Sequence, residues 1–349
     1  METKNTMPSA SAPGKVHLIG EHAVVYGKPA IIASIGKRCF VTAEKSENIE
    51  IISSSLNLNK KFTIEDSKLL YLRAKKEWIE GKEKKDFSRL FALMKQDYYK
   101  PIICACMEAL SALRIRKGIK VGINSEIPLG SGLGSSSAMA VAMVKAISEA
   151  YGKKLVKQRV NEIAYEIEKL NHGMPSGGDN STCCYGRLIW FQKNANGPNI
   201  IQPLENEIPY ALDGFLLVHT GKPEKTTGEL VQHVMRLEES YRNARIEILG
   251  KATYEMLAAL KRKDFSKAKH LMNLAQRNLA ELGVSTKQID GLAEKVVSIG
   301  GAAKLCGAGG GGTVLCYHED REKLAHLIKE SGYSPIETEL GVEGVRVEK

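Results

Sequence analysis

The sequence lacks the long apolar runs that would place it in a membrane. No stretch approaches the roughly 18 uninterrupted apolar residues that a span needs. The first ten residues, METKNTMPSA, are polar and carry no apolar segment of the kind found in a secretory signal, so the cytoplasm is the expected address. No C-x-x-C pair occurs among the seven cysteines. Cys104 and Cys106 are one residue apart, and Cys183 and Cys184 are adjacent. These spacings suit neither a usual zinc site nor a secreted disulfide framework, and the count is odd. Reduced, mostly buried thiols are therefore expected. Internal repeats and low-complexity tracts are also missing.

What is present is an ordinary soluble balance of 43% hydrophobic and 26% charged residues. A length of 349 residues exceeds what one hydrophobic core usually holds, so two domains are expected. The net charge is +10. Its Lys and Arg are dispersed, and clusters such as 82–85 (KEKK) and 261–263 (KRK) read as solvated faces. A positive field could mean nucleic acid and also suits an enzyme whose ligands are polyanions; charge alone does not decide, and no nucleic acid is expected as a partner on the whole reading below.

Apolar runs at 16–19 and 31–35 predict two early strands. Residues 60–100 are charged and helix-prone, making 54–100 an excursion between a β layer and the next motif. Ile102, Ile103, Cys106, Ala109, Leu110 and Leu113 recur at helical spacing, which predicts a buried helix over 101–116. Val121, Ile123 and Ile127 alternate with polar residues as in a strand, and Pro128 ends it. Helices are expected over 138–151 and 156–170, then a turn-rich segment (NHGMPSGGDNST, 171–182) and a strand at 186–193. The Asn- and Pro-rich stretch 194–209 marks the expected boundary between a domain at 1–209 and one at 210–349. The second holds a strand at 214–219, helical segments over 226–262, 264–282 and 286–298, and a glycine-rich turn at 307–312. Strands over 334–347 follow, which could return to the first lobe. The order is mixed α+β in two lobes.

The strongest chemical signal is Pro128-Leu129-Gly130-Ser131-Gly132-Leu133-Gly134-Ser135-Ser136-Ser137-Ala138. It follows a predicted strand and opens a predicted helix. Glycines let backbone approach phosphates closely, and the free N–H groups and dipole at a helix start favour negative charge. The serines add hydroxyl donors and a candidate Mg²⁺ ligand. The loop is neither a Walker A sequence nor a Rossmann fingerprint. A lone carboxylate in a glycine-flanked turn, Asp179, can approach a substrate and act as a base.

The string resembles the phosphate loop of the GHMP kinase family, which includes galactokinases and homoserine, mevalonate and phosphomevalonate kinases. Two further strings resemble that family in the same order: 11–27 (SAPGKVHLIGEHAVVYG) and 304–312 (KLCGAGGGG). The details are most similar to the mevalonate kinases of the family: the apolar 23–25 after Glu21-His22, the segment 171–180 (NHGMPSGGDN), Leu282-Gly283-Val284-Ser285, and the closing 337–345 (ETELGVEGV). Cys306 and Thr313 stand where relatives often show Thr and Cys, and Ser137 replaces a common alanine.

The resemblance implies a two-lobed α+β fold with the active site in the cleft between an N-terminal and a C-terminal lobe. It implies ATP and mevalonate as small-molecule substrates, Mg²⁺ as cofactor, no membrane partner, and an assembly that is often a homodimer. It implies Asp179 and Lys15 as catalytic residues, with Lys15 keeping Asp179 ionised. Pro128, Gly130, Ser131, Gly132, Leu133, Gly134, Ser135, Ser136 and Ser137 would hold the nucleotide. Ser136 and Glu168 would hold the metal, with Glu166 a competing carboxylate. Glu21, His22, Tyr26, Thr227 and Gly309 would line the acceptor side, with Thr226 an alternative to Thr227. Another acceptor within the family, a catalytically silent relative and a nucleic-acid binder are the alternatives. The silent relative fits poorly, because Asp179 and Lys15 are both present.

Overall fold

The computed structural model describes residues 8–128, 130–194, 196–225 and 227–348. The first half builds one large sheet. β1 (Ser9–Ile19) leads through a 3-10 turn (Ala23–Tyr26) into the long β2 (Pro29–Ser46), then β3 (Ile49–Ser53) and β4 (Leu58–Phe62). Helices α1 (Ile64–Lys84), α2 (Ser88–Lys95) and α3 (Tyr99–Ala112) precede β5 (Gly118–Ser125). Next come α4 (Ser135–Ala150), α5 (Lys157–His172), α6 (Gly178–Tyr185), β6 (Leu188–Gln192) and β7 (Ile200–Pro203). The second half contains β8 (Phe215–His219), α7 (Thr227–Arg236), α8 (Glu239–Lys261), α9 (Phe265–Glu281) and α10 (Lys287–Ser298). It closes with β9 (Ala302–Leu305), β10 (Thr313–Tyr317), α11 (Arg321–Glu330), β11 (Pro335–Glu337) and β12 (Arg346–Glu348).

β2 organises the larger sheet because it is long enough to pair three strands. Residues 31–42 pair β1 on one edge, while 29–33 pair β6 and 39–46 pair β5 on the other. The order runs β12-β1-β2-β5-β3-β4, with β7 added beyond β6. Apart from the parallel β3–β5 pair, every pairing in it is antiparallel. The second sheet, β11-β8-β10-β9, is antiparallel throughout. Helix α4 carries Ala138, Val141, Ala142 and Ile147 fully buried and packs on β1 and β2. Its many alanines let the helix lie close to the sheet.

Several elements depart from the expectations. Residues 49–62 form a hairpin, because Ile49 and Ile51 are buried on the sheet while the intervening positions stay polar or exposed. The 226–262 segment is two helices, α7 and α8, separated at 237–238, where Glu238 caps α8 by accepting from the amides of Ser240 and Tyr241. Helix α11 was not anticipated. The turn-rich reading of 171–182 holds only over 173–177. Asp179 therefore lies in the first turn of a helix, not in a turn, and Cys183 and Cys184 are buried on that helix. All seven cysteines are free, and burial pushes the thiols of Cys39, Cys104, Cys106, Cys184 and Cys306 up to about 12. Among the described residues no helix is long and apolar enough to cross a membrane.

The C-terminal strand returns to pair with β1. Arg38 clamps it there. Its guanidinium is almost fully buried and donates to Ser11 Oγ (2.7 Å), Ser11 O (3.1 Å), Glu343 O (2.9 Å) and Gly344 O (2.7 Å). Buried acceptors left without this donor cost the desolvation of each carbonyl. Arg38→Met should therefore lower stability by about 3 kcal/mol, measured by urea unfolding.

Candidate active site

The site begins with an irregularity in β1. Its register against β2 shifts between Pro13 and Gly14, immediately before Lys15. A bulge bends the strand and re-aims the next side chains. The Lys15 amide donates to Leu133 O at 2.9 Å, which lays the strand against the phosphate loop. A Cβ on Gly14 would lie 2.7 Å from that same carbonyl, so only glycine permits the approach. On the loop side, a Cβ on Gly134 would lie 2.7 Å from Lys15 Cγ. Gly134 also has φ +76° and caps α4, whose first residues are Ser135, Ser136 and Ser137.

The loop is held from within and from the second half. Ser131 Oγ donates to Pro128 O at 2.7 Å, and Leu133 is buried beneath. Thr313, at the start of β10, donates its hydroxyl to Ser131 O at 2.8 Å. Gly130 and Gly132 both have positive φ, and a Cβ on either would meet no protein atom within 4 Å. Leu129 lies outside the described residues. The loop thus presents open backbone at the N-terminus of a buried sixteen-residue helix, a suitable cradle for phosphates.

Lys15 Nζ sits 3.0 Å from Asp179 Oδ2. The lysine side chain is 8% exposed and the aspartate 40%, so the carboxylate is open to a substrate while its counter-ion is fixed behind it. Desolvation raises the Asp179 pKa, but the Lys15 charge, the nearby His17 and His172, and the hydrogen bond from the Lys15 ammonium together outweigh it and hold the carboxyl below its usual value. Burial, followed by the Lys15 charge, pushes the neighbouring His17 imidazole down to about 3, leaving it neutral.

Glu168 is 3% exposed and accepts from two serines of the loop: Ser136 Oγ at 2.6 Å and Ser137 Oγ at 2.5 Å. Asn171 Nδ2 donates to Ser136 Oγ at 3.3 Å, while Asn171 Oδ1 is buried with no partner. One carboxylate, hydroxyls and an orphaned amide oxygen at a phosphate cradle are the donor set that a hard divalent cation accepts, with phosphate and water completing its shell. Among the described residues no cluster of three or more His, Cys, Asp or Glu forms an all-protein metal cage. Glu166 faces elsewhere, pairing with Lys169 (2.6 Å) and Lys75 (3.8 Å).

Glu21 and His22 tie the first half to the second. Glu21 is paired with Lys304, and both side chains are essentially inaccessible to solvent. Lys304 Nζ also donates to Leu305 O at 2.8 Å. Burial raises the Glu21 pKa, and the Lys304 charge opposes it. Glu21 Oε2 is buried and unpartnered. His22 Nε2 donates to Ala308 O at 2.9 Å, from a backbone at φ +57°. Tyr26 lies beside them with a buried, unpartnered hydroxyl and the Arg242 guanidinium 5.5 Å from its ring centroid. Gly309 is required for packing, since a Cβ there would lie 2.0 Å from Val284 O. Thr227 stands exposed at the first residue of α7, and Thr226 lies outside the described residues.

Sequence reasoning gave no role to Lys304 or Asn171. The signal for Lys304 was a cation inside an otherwise apolar strand, AAKL; Asn171 had none beyond its place near His172. Breaking a buried ion pair leaves one uncompensated charge and costs about 3–5 kcal/mol. Lys304→Met should show that loss in denaturant unfolding, and adding Glu21→Gln should recover most of it.

Residues 98–187 match the GHMP kinases N-terminal domain, and residues 256–332 match the GHMP kinases C-terminal domain. The chain is 33% identical to a mevalonate kinase of Pyrococcus furiosus and 32% identical to one of Thermococcus sibiricus, in each case over 97% of this chain and 98% of the relative. The crystal structure of the Methanococcus jannaschii mevalonate kinase superposes with a TM-score of 0.79 at 26% identity, covering 98% of this chain and all of that one. With both family domains matched and near full-length similarity above 30% identity, the chain belongs to the GHMP kinase family.

Proposed function

We propose that this protein transfers the γ-phosphate of ATP to the 5-hydroxyl of (R)-mevalonate, giving 5-phosphomevalonate and ADP. The observation that carries the reading is the Lys15–Asp179 pair, set against the phosphate loop through Gly134 and Leu133. Its near full-length relatives named as mevalonate kinases support the choice of acceptor.

The chemistry follows from where charge develops. Asp179, kept ionised, accepts or orients the proton of the attacking hydroxyl. The Lys15 ammonium, held at Asp179, would stabilise the negative charge that develops on the attacking oxygen as the phosphoryl group moves. The open glycines and the start of α4 hold the triphosphate. Glu168, Ser136 and Asn171 would hold Mg²⁺, with Ser137 fixing the Glu168 carboxylate. When bound, the ion neutralises charge on the phosphate oxygens. In-line transfer needs position and electrostatics more than covalent help, and these residues provide both. Tyr26 and Glu21, each with a buried oxygen that has no partner, are the polar groups we assign to the acceptor side. Lys304 and Ala308 hold Glu21 and His22 in place.

Mg²⁺-dependent ADP release with mevalonate, phosphomevalonate, galactose and homoserine in parallel tests the reading. Turnover on mevalonate alone is expected, and Asp179→Asn should lower kcat by about 100-fold or more. Turnover confined to another acceptor would overturn the substrate. Glu168→Gln should raise the Mg²⁺ concentration for half-activation by roughly tenfold, read from a metal titration at saturating ATP.

A further inference from the structure

The chain between Glu168 and Asp179 leaves α5 at His172 and re-enters helix at Gly178. The intervening residues 173–177 belong to no helix or strand, yet three of their carbonyls accept from side chains outside the loop. Trp78 donates its indole Nε1–H to Gly173 O at 2.7 Å. Tyr165 donates its hydroxyl to Pro175 O at 3.2 Å, and Asn199 donates Nδ2 to Ser176 O at 2.8 Å. These donors come from α1, α5 and the segment just before β7. Phe87 closes on the same loop: Gly173 has φ +71°, and a Cβ there would lie 2.7 Å from Phe87 Cγ.

The two aromatic donors share a cation. Lys169 Nζ lies 5.3 Å from the Trp78 ring centroid and 4.7 Å from that of Tyr165. Glu166 holds the ammonium at 2.6 Å. One lysine, adjacent in sequence to Glu168, thereby fixes the planes of both rings whose polar edges hold the loop.

We propose that Trp78 and Tyr165 are positioning residues for phosphoryl transfer, acting through the carbonyls of Gly173 and Pro175 to fix Asp179 relative to Glu168. The α1–α2 excursion thereby serves the chemistry without touching substrate. The proposal rests on the kinase reading above. Each hydrogen bond adds little to overall stability. Loop placement matters more, because a misplacement of about 1 Å can cost on the order of 100-fold in rate.

Trp78→Phe and Tyr165→Phe test this, the second removing only a hydroxyl. Single-turnover rapid quench would use Mg-ATP and whichever acceptor the unmodified protein phosphorylates. The transfer rate should fall about tenfold in each variant, with KM for ATP within about twofold and burst amplitude and unfolding midpoint unchanged. Hydrogen exchange of residues 173–179, measured without substrate, should rise in both variants. Wild-type transfer rates in the variants, or a loss confined to amplitude and unfolding midpoint, would overturn the proposal. Should the unmodified protein phosphorylate none of the acceptors, the kinase reading fails and the positioning role in phosphoryl transfer falls with it; an active unmodified protein whose variants transfer at the same rate overturns the positioning role alone.

Discussion

A carboxylate placed to handle a proton next to a triphosphate, the role proposed for Asp179, would face a strong tendency to be neutralised. The ion pair between Lys15 and Asp179 counters that tendency, and much of the fold serves to hold it. Lys15 cannot move away, because its amide is bonded to Leu133 O and its stem is packed over Gly134. Asp179 is fixed by a helix that begins one residue earlier. A like-charged ligand nearby raises a carboxyl pKa, while a fixed ammonium at 3.0 Å lowers it. The bulge in β1, the close approach at Gly14 and the glycine cap of α4 are consequences of bringing this lysine between phosphate loop and carboxylate.

The second half of the chain completes the site by contact at its edges. Links near the chemistry join the halves, among them Glu21 to Lys304, His22 to Ala308 and Thr313 to Ser131. Two of the partners, Lys304 and Thr313, lie buried on strands of the second sheet and fix segments of the first half by polar groups out of water. Such contacts are costly when incomplete, and Glu21 Oε2 remains unpaired. Unpaired buried oxygens on Glu21 and Tyr26 are a reasonable cost at the acceptor side proposed above.

Much of the site could be read from residue order, because phosphate chemistry demands glycine, serine and a helix start in one short string. Asp179 and Lys15 were legible from their glycine-rich surroundings and family likeness, and the structure brings them together. The choice between Glu166 and Glu168 was not, since both lie on one helix; only the facing serines distinguish them. The helix bearing Asp179 was hidden because its sequence, GDNSTCCY, is poor in helix formers and is stabilised by burial rather than propensity. Glu21 and Lys304 lie far apart in the chain, and no local pattern couples them. The β3–β4 hairpin was masked by lysines on its exposed face.

The Asp179 carboxyl pKa tests the central claim most directly. Measured by ¹³C NMR on selectively labelled protein, it should lie below the ordinary aspartate value in the unmodified chain and rise in Lys15→Met. A value at or above the ordinary range in the unmodified protein, or one unmoved by removal of the lysine charge, would contradict the account.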